Sequence, residues 1–406
     1  MLILILKNIL YQQKKHKNKE KIMNKESDEI LKKFFKIFKK KDKSHHNPFF
    51  DKTEKKNLIN CINTTYVSYV GNFVSKFEKD ISNFVKSKYA VATSSGTAAL
   101  HLALKYYNLN HRHEVLVPSL TYVATVNAIR YLNSSPNFVD VEKENFGVCP
   151  IKLENYLKKS TKRINGKLIN KKTKREIKAL VAVHLYGFPC KIDLIKKICK
   201  KFKIILIEDA AESLGSFYRS KHTGTFGEIG ILSFNGNKTI TCGSGGMIIT
   251  NSKKISDKLK HLSTHAKVAN RPDHYHDEVG YNYRMTNLSA AVGCGQLLKI
   301  NKILKSKIKN YYWYKENFKK FQSMKILKEP KNSKSNYWLI IGKFKTTTDR
   351  NLIFKSLKKK GFGVRLCWRP LHTLKIFKNF PRDNLKNTNK IYSQTITFPS
   401  SSKINL

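Results

Sequence analysis

Short apolar runs alternate with stretches of helical spacing through most of the chain, beginning near residue 89. Runs at 89–92, 114–117, 138–141, 178–184 and 204–208 read as strands, and the first four of those intervals carry the 3.6-residue spacing of helices at 98–107, up to 132, 153–158 and 192–202. Two more apolar runs, 231–234 and 247–250, precede a helix that begins at Ile255. Strand and helix in alternation predict an α/β domain with a mostly parallel central sheet flanked by helices. Residues 162–174 break the pattern and read as a polar surface hairpin. Before the alternation, residues 27–40 place Ile30, Leu31, Phe34, Phe35, Ile37 and Phe38 at helical spacing, and a further helix is expected over 74–86. After it, a helical tract over 288–321 leads to a strand at 337–344, a helix at 350–360 and a strand at 362–367. No internal repeat is visible.

The length of 406 residues accommodates two domains. The pattern divides the chain into a dispensable basic extension (1–22), an amphipathic helix and linker (23–51), a large domain (52–300) and a linking helix with a small C-terminal α/β domain (301–406). The opening run Met1–Leu10 is shorter than the ~20 apolar residues a membrane span needs and lacks the flanks of a signal peptide, and Met23 offers an alternative start. Basic residues outnumber acidic ones by 79 to 28, a formal net charge of +51. The excess is lysine rather than arginine, is spread along the whole chain and accompanies no nucleic-acid motif, so it reads as lysine at exposed positions. Seven scattered cysteines without a C-x-x-C pair fit a reducing, cytoplasmic setting and neither a disulfide framework nor a zinc site. His274, His276, Asp277 and Glu278 are sequence neighbours, which rarely converge on one ion, so no metal is expected.

Candidate chemistry gathers at predicted strand ends. Lys238 lies between two buried strands in a loop that holds three glycines after it, and low-dielectric walls favour the neutral, nucleophilic amine of a Schiff-base lysine. Thr93-Ser94-Ser95-Gly96-Thr97 follows a strand and opens a helix, an arrangement suited either to a phosphate or to a plain N-cap. Asp209 ends a strand at the sheet edge where α/β proteins bind ligands, and can hold a ligand or cap a helix starting at Ala210. Tyr122 offers an aromatic face at the same edge or packs in the core, and Ser233 stands five residues before the lysine.

These features, in this chain order, resemble the type I fold of pyridoxal-phosphate (PLP) enzymes, and within it the DegT/DnrJ/StrS nucleotide-sugar aminotransferases. The resemblance runs from about Lys52 to the end and rests on Ser95-Gly-Thr-Ala-Ala-Leu-His-Leu-Ala103, Val117-Pro-Ser-Leu-Thr-Tyr122, His184-Leu-Tyr-Gly187, Glu208-Asp-Ala-Ala-Glu-Ser213 and Gly280-Tyr-Asn-Tyr-Arg-Met-Thr-Asn287. The lysine loop and the N-terminal helix resemble the branch that aminates UDP-linked 4-keto-6-deoxy-N-acetylhexosamines, of the legionaminic acid or bacillosamine type. The resemblance implies that Lys238 carries PLP as a Schiff base and shuttles the proton, and that Asp209 keeps the pyridine nitrogen protonated. It implies further that Tyr122 stacks on the ring, that Ser95, Gly96, Thr97 and Ser233 hold the phosphate, and that Glu212 faces the phenolic oxygen. Asn282 and Arg284 are expected from a neighbouring subunit of a homodimer, with Arg284 and Arg365 as substrate anchors and glutamate as amino donor. Three rivals are a PLP dehydratase, which carries histidine where Lys238 stands, a PLP-fold protein without transaminase activity, and a basic nucleic-acid binder. Relatives usually continue through one more helix, so the end at Leu406 reads as a truncation; Cys242 and Ser244 replace residues more often Thr and Gly.

Overall fold

The computed structural model describes residues 25–269 and 271–402, so the expected basic extension at 1–22 lies outside the described residues. The strands expected from the alternation form as β1 (Tyr89–Thr93), β2 (His113–Pro118), β3 (Ser135–Val139), β6 (Glu176–Val183), β7 (Ile205–Asp209), β10 (Ile229–Ser233) and β11 (Gly246–Thr250), the hairpin supplies β4 (Thr161–Ile164) and β5 (Lys167–Asn170), and the short β8 (Phe217–Tyr218) and β9 (Lys221–His222) were not expected. A nine-stranded sheet follows the order β1-β11-β10-β7-β6-β2-β3, with the β4–β5 hairpin attached to β6. Pairing from β10 through β7, β6 and β2 to β3 is parallel, and β11 runs antiparallel to both of its neighbours.

Strand periodicity explains why both faces are covered. Val115 and Val117 of β2 enter one core cluster, together with residues of the helices Gly96–Tyr106 and Val123–Tyr131. Leu116, between them, enters another with the helices Pro150–Ser160 and Ile192–Phe202. Successive side chains of a strand point to opposite faces, so a continuous apolar run needs helices on each. The expected hairpin over 162–174 is present as β4–β5, but Ile169 pairs with Glu176 and so joins it to the sheet.

A second, four-stranded sheet is built later in the chain from β12 (Met324–Ile326), β14 (Ile340–Phe344), β15 (Arg365–Leu366) and β16 (Thr395–Phe398), while β13 (Ser333–Lys334) pairs with β8. The expected single tract over 288–321 is two helices, Asn287–Leu298 and Ile300–Phe318, with Lys299 between them at φ −102° and ψ 1°. The strand expected from 337 starts only at Ile340, because Tyr337 adopts the left-handed region at φ 46°. The expected strand over 362–367 contracts to Arg365–Leu366. The helix at 25–37 packs on this second unit: the Phe34 ring lies 4.4 Å from that of Phe318 and 4.9 Å from that of Phe398. Ser27 adds a 3.0 Å hydrogen bond to Asp349. Full burial of one such phenylalanine stabilises by about 1.5–3 kcal/mol.

Candidate active site

The parallel strands end on one side of the sheet, and a cavity of about 500 Å³ opens there, lined by groups that include Ser95, Tyr122, Asp209, Glu212, Lys238 and Arg365. Ligands of open α/β sheets bind at this edge because the strand ends leave a crevice and the following helices point their N-termini into it.

Lys238 hangs in the loop between β10 and β11. Its amine lies 3.5 Å from a Glu212 carboxylate oxygen and 4.2 Å from the centre of the Trp338 ring. Trp338 is fixed in turn by its indole N–H, which donates to the carbonyl of Asn237 at 2.7 Å. Glu212 accepts the backbone N–H of Tyr186 at 2.7 Å, and burial pushes its pKa up against the opposing pull of Lys238.

The turn after β1 builds a cradle. Ser95 is the N-cap of the helix Gly96–Tyr106, and its hydroxyl accepts the Ala98 N–H at 3.1 Å. The serine is therefore used as the cap, and the N–H groups of Gly96 and Thr97, which a helix leaves without partners of its own, stand at the cavity. Two glycines make the close approach possible. A Cβ on Gly246 would sit 2.4 Å from the Ser95 carbonyl and 2.6 Å from the Gly96 nitrogen, and one on Gly96 would sit 3.0 Å from the Ser233 Cβ. Ser233 thus closes the cradle from β10.

Asp209 is held rather than free. One carboxylate oxygen accepts the Thr125 hydroxyl at 2.8 Å and the other the Ala211 N–H at 3.2 Å. Behind it, Glu208 points to the other face of β7 and accepts the N–H groups of Gly224, Phe226 and Gly227 as well as the His184 ring at 2.9 Å. Burial opposes charge on His184, but Cys190 and Glu208 outweigh it and raise its pKa. This buried network fixes the end of the strand that presents Asp209. Tyr122 is half-exposed, with its ring 5.1 Å from that of Trp368. Trp368 stacks in turn on Tyr186 at 6.0 Å, whose hydroxyl oxygen accepts the Trp368 backbone N–H at 2.9 Å.

Sequence reasoning missed Trp338, Trp368, Thr125 and Tyr186. Thr125 was findable as a polar residue one turn into the helix after Tyr122; the aromatics carry no local signal that separates them from core residues. Arg365 lines the cavity as expected. Arg284 requires correction as a substrate anchor: it is buried, its guanidinium pairs with Glu78 at 2.8 Å, and it donates to the Ala92 carbonyl at 3.2 Å. Asn282 is exposed, pairs through its backbone with Thr264, and does not line the cavity of its own chain. His274 meets Lys267 at 2.7 Å and His276 the His265 carbonyl at 2.8 Å. Asp277 and Glu278 cluster instead with His261, and the Lys258 ammonium sits on Glu278.

The model of the DegT/DnrJ/EryC1/StrS aminotransferase family matches residues 48–406. The chain belongs to that family. GDP-perosamine synthase of Escherichia coli O157:H7 is 36% identical over 82% of this chain and 86% of its own length. UDP-4-amino-4,6-dideoxy-N-acetyl-beta-L-altrosamine transaminase of Campylobacter jejuni is 28% identical over 83% and 86%. Among solved structures, the Helicobacter pylori aminotransferase PseC superposes with a TM-score of 0.82 at 24% identity, covering 90% of this chain and 95% of that one. The fold is that of the PLP-dependent DegT aminotransferases, and the protein is a PLP-dependent sugar aminotransferase. The residues present fit the cofactor, since the first turn of the helix Gly96–Tyr106, which suits a phosphate, lines the same cavity as a lysine and a strand-end carboxylate. Among the described residues no helix is long and apolar enough to cross a membrane.

Proposed function

We propose that this protein transfers an amino group, from glutamate, to C4 of a UDP-linked 4-keto-6-deoxy sugar on the way to a surface glycan. The observation that carries the reading is the single cavity in which the Lys238 amine, the Asp209 carboxylate and the helix-end cradle meet. PLP bound there supplies an electron sink that lets a carbon–hydrogen bond break beside the transferred nitrogen. Lys238 takes the proton from the donor carbon and returns one to the acceptor carbon, as base and then acid. Asp209, oriented by Thr125, holds a proton on the ring nitrogen. Gly96 and Thr97 bind the phosphate through their N–H groups, with Ser95 and Ser233 as walls. Tyr122 covers a ring face. Glu212, kept protonated more readily by its burial, donates toward the phenolic oxygen. Arg365, at the cavity mouth, anchors the diphosphate.

The relative from C. jejuni supports both the UDP group and amination at C4 of a 6-deoxy sugar. A GDP-linked acceptor is the second reading, favoured by the higher identity to the E. coli enzyme. We propose also that the enzyme is a homodimer with shared sites. Tyr66, Val67, Tyr69 and Val70 leave an apolar segment exposed, and Asn282, outside its own chain's cavity, is available to a partner's. Mass spectrometry of the products from UDP- and GDP-linked 4-keto-6-deoxy sugars with glutamate tests the assignment. Ready amination of simple 2-oxo acids, with both nucleotide sugars untouched, would refute it.

A further inference from the structure

A second concavity, of about 330 Å³, is lined by Lys143, Lys325, Lys343, Lys345 and Lys390 around Ser323. The five lysines arrive from separate parts of the chain. Lys325 on β12 and Lys343 on β14 are direct cross-strand partners, and Lys345 follows just beyond β14. Lys390 comes from the helix Lys386–Gln394, and Lys143 from the loop that leads from β3 of the large sheet to the helix Pro150–Ser160. Like charges placed directly opposite on neighbouring strands repel. A lysine-rich surface relieves that repulsion by spreading its amines into water; Lys143, Lys325, Lys345 and Lys390 are exposed and Lys343 is half-buried, yet all five line one hollow, with Phe344 and Ile391 buried at its wall.

The counter-charges nearby do not settle the repulsion. Among the described residues none of the five amines forms a salt bridge. Glu26 is engaged by the backbone N–H groups of Gln322 and Ser323. Burial lowers the pKa of Lys343, Lys143 and Lys390 lower it further, and Glu144 only partly restores it. Gln394 donates to the Lys345 carbonyl at 2.7 Å and Lys343 to the Lys143 carbonyl at 3.4 Å.

We propose that this hollow is a second anion site that takes the di- or triphosphate group of a small molecule. Ammonium groups act as point charges on phosphate oxygens, and low-dielectric walls focus the field. The volume lies at the lower end of ligand pockets, which span about 300–1,000 Å³, so a phosphate chain fits and a whole nucleotide sugar does not. Because Lys143 comes from the large sheet's loop and the other lysines from the second unit, the bound anion ties the two together and raises thermal stability. This inference does not depend on the substrate assigned to the Lys238 cavity.

The test is calorimetric titration of the PLP-loaded, full-length enzyme with pyrophosphate, tripolyphosphate and ATP, at ionic strength held constant with potassium chloride. Saturable binding of tripolyphosphate is expected, weakened at least tenfold by the pair Lys343→Met and Lys390→Gln. A charge-matched pair on the exposed surface, Lys36→Gln and Lys355→Gln, should change it less than twofold. None of these variants should alter the absorbance of the bound cofactor. Equal affinities for ATP and tripolyphosphate identify the phosphate chain as the ligand, and tenfold tighter ATP identifies a nucleotide; either supports the site. Unsaturable binding, equal weakening by both pairs, or binding indifferent to the hollow's lysines overturns it, leaving only the diffuse field of a +51 chain.

Discussion

Arg284 separates two roles that a cation beside the cofactor cradle can have, anchoring a substrate or holding the sheet together. β1 is an edge strand, and the outward N–H and C=O of its residue Ala92 are met by Glu78 at 2.8 Å and by Arg284 at 3.2 Å. The two side chains pair at 2.8 Å with only 5% of Arg284 and 12% of Glu78 exposed. Removing one partner of a buried pair costs about 3–5 kcal/mol, because the other charge is left without compensation. Glu78 would keep the Ala92 N–H, and Lys260 at 3.7 Å, so Arg284→Met should fall at the lower end, about 3 kcal/mol. At about 2 °C per kcal/mol for a chain of this size, the apparent Tm should drop by about 6 °C. KM for the nucleotide sugar should stay within about twofold of the parent, since the guanidinium is buried away from the cavity. Thermal unfolding followed by circular dichroism, beside Michaelis kinetics on the same samples, reads both numbers. An unchanged Tm with KM raised tenfold or more would refute the argument and return Arg284 to the substrate.

Lys238→Ala should lose both turnover and the visible absorbance of the bound cofactor, since no other lysine lies on that loop; normal transamination by this variant would remove Lys238 from the mechanism. Asp209→Ala should keep PLP through the phosphate cradle yet slow turnover more than tenfold, which is about 1.4 kcal/mol in the barrier; a smaller loss in kcat contradicts its role. Gly246→Ala forces a methyl into the backbone of Ser95 and Gly96, so spectrophotometric titration with PLP should show affinity down tenfold or more, and an unchanged titration would show that the cradle yields without cost. His222 is buried, accepts the Gly215 N–H at 2.8 Å on one nitrogen and donates to the Thr223 carbonyl from the other, and burial brings its pKa down to about 4. Its folded pKa lies below the unfolded value near 6.5, so its contribution is present above pH 6.5 and is lost as pH falls toward 4, at most about 3 kcal/mol. Denaturant unfolding across that window should show a shallower loss for His222→Asn than for the parent; parallel curves would contradict the assignment.

What the sequence determined by itself was local. The alternation of strand and helix follows from side-chain periodicity, which needs no knowledge of partners, and it placed the elements around Ser95, Tyr122, Asp209 and Lys238 correctly to within a few residues. Those four lie at the ends of strands, where the chain's own hydrophobic pattern stops, so their positions at one sheet edge follow once the strands are parallel. Tertiary structure alone decided the rest. Trp338 and Trp368 are 100 or more residues from Lys238 and join its cavity only because the second unit folds back over the sheet edge. Arg284 looked like an anion binder until Glu78, brought beside it by the helix Asn72–Val85, took its charge. The helix Lys386–Gln394 and β16 lack the long apolar period that announces an element, and are stable because β16 is buried between β14 and β15. Lysines scattered through the chain gain meaning in the same way: repulsion and field depend on distance in space, and only the packing of the second unit brought five of them around one hollow.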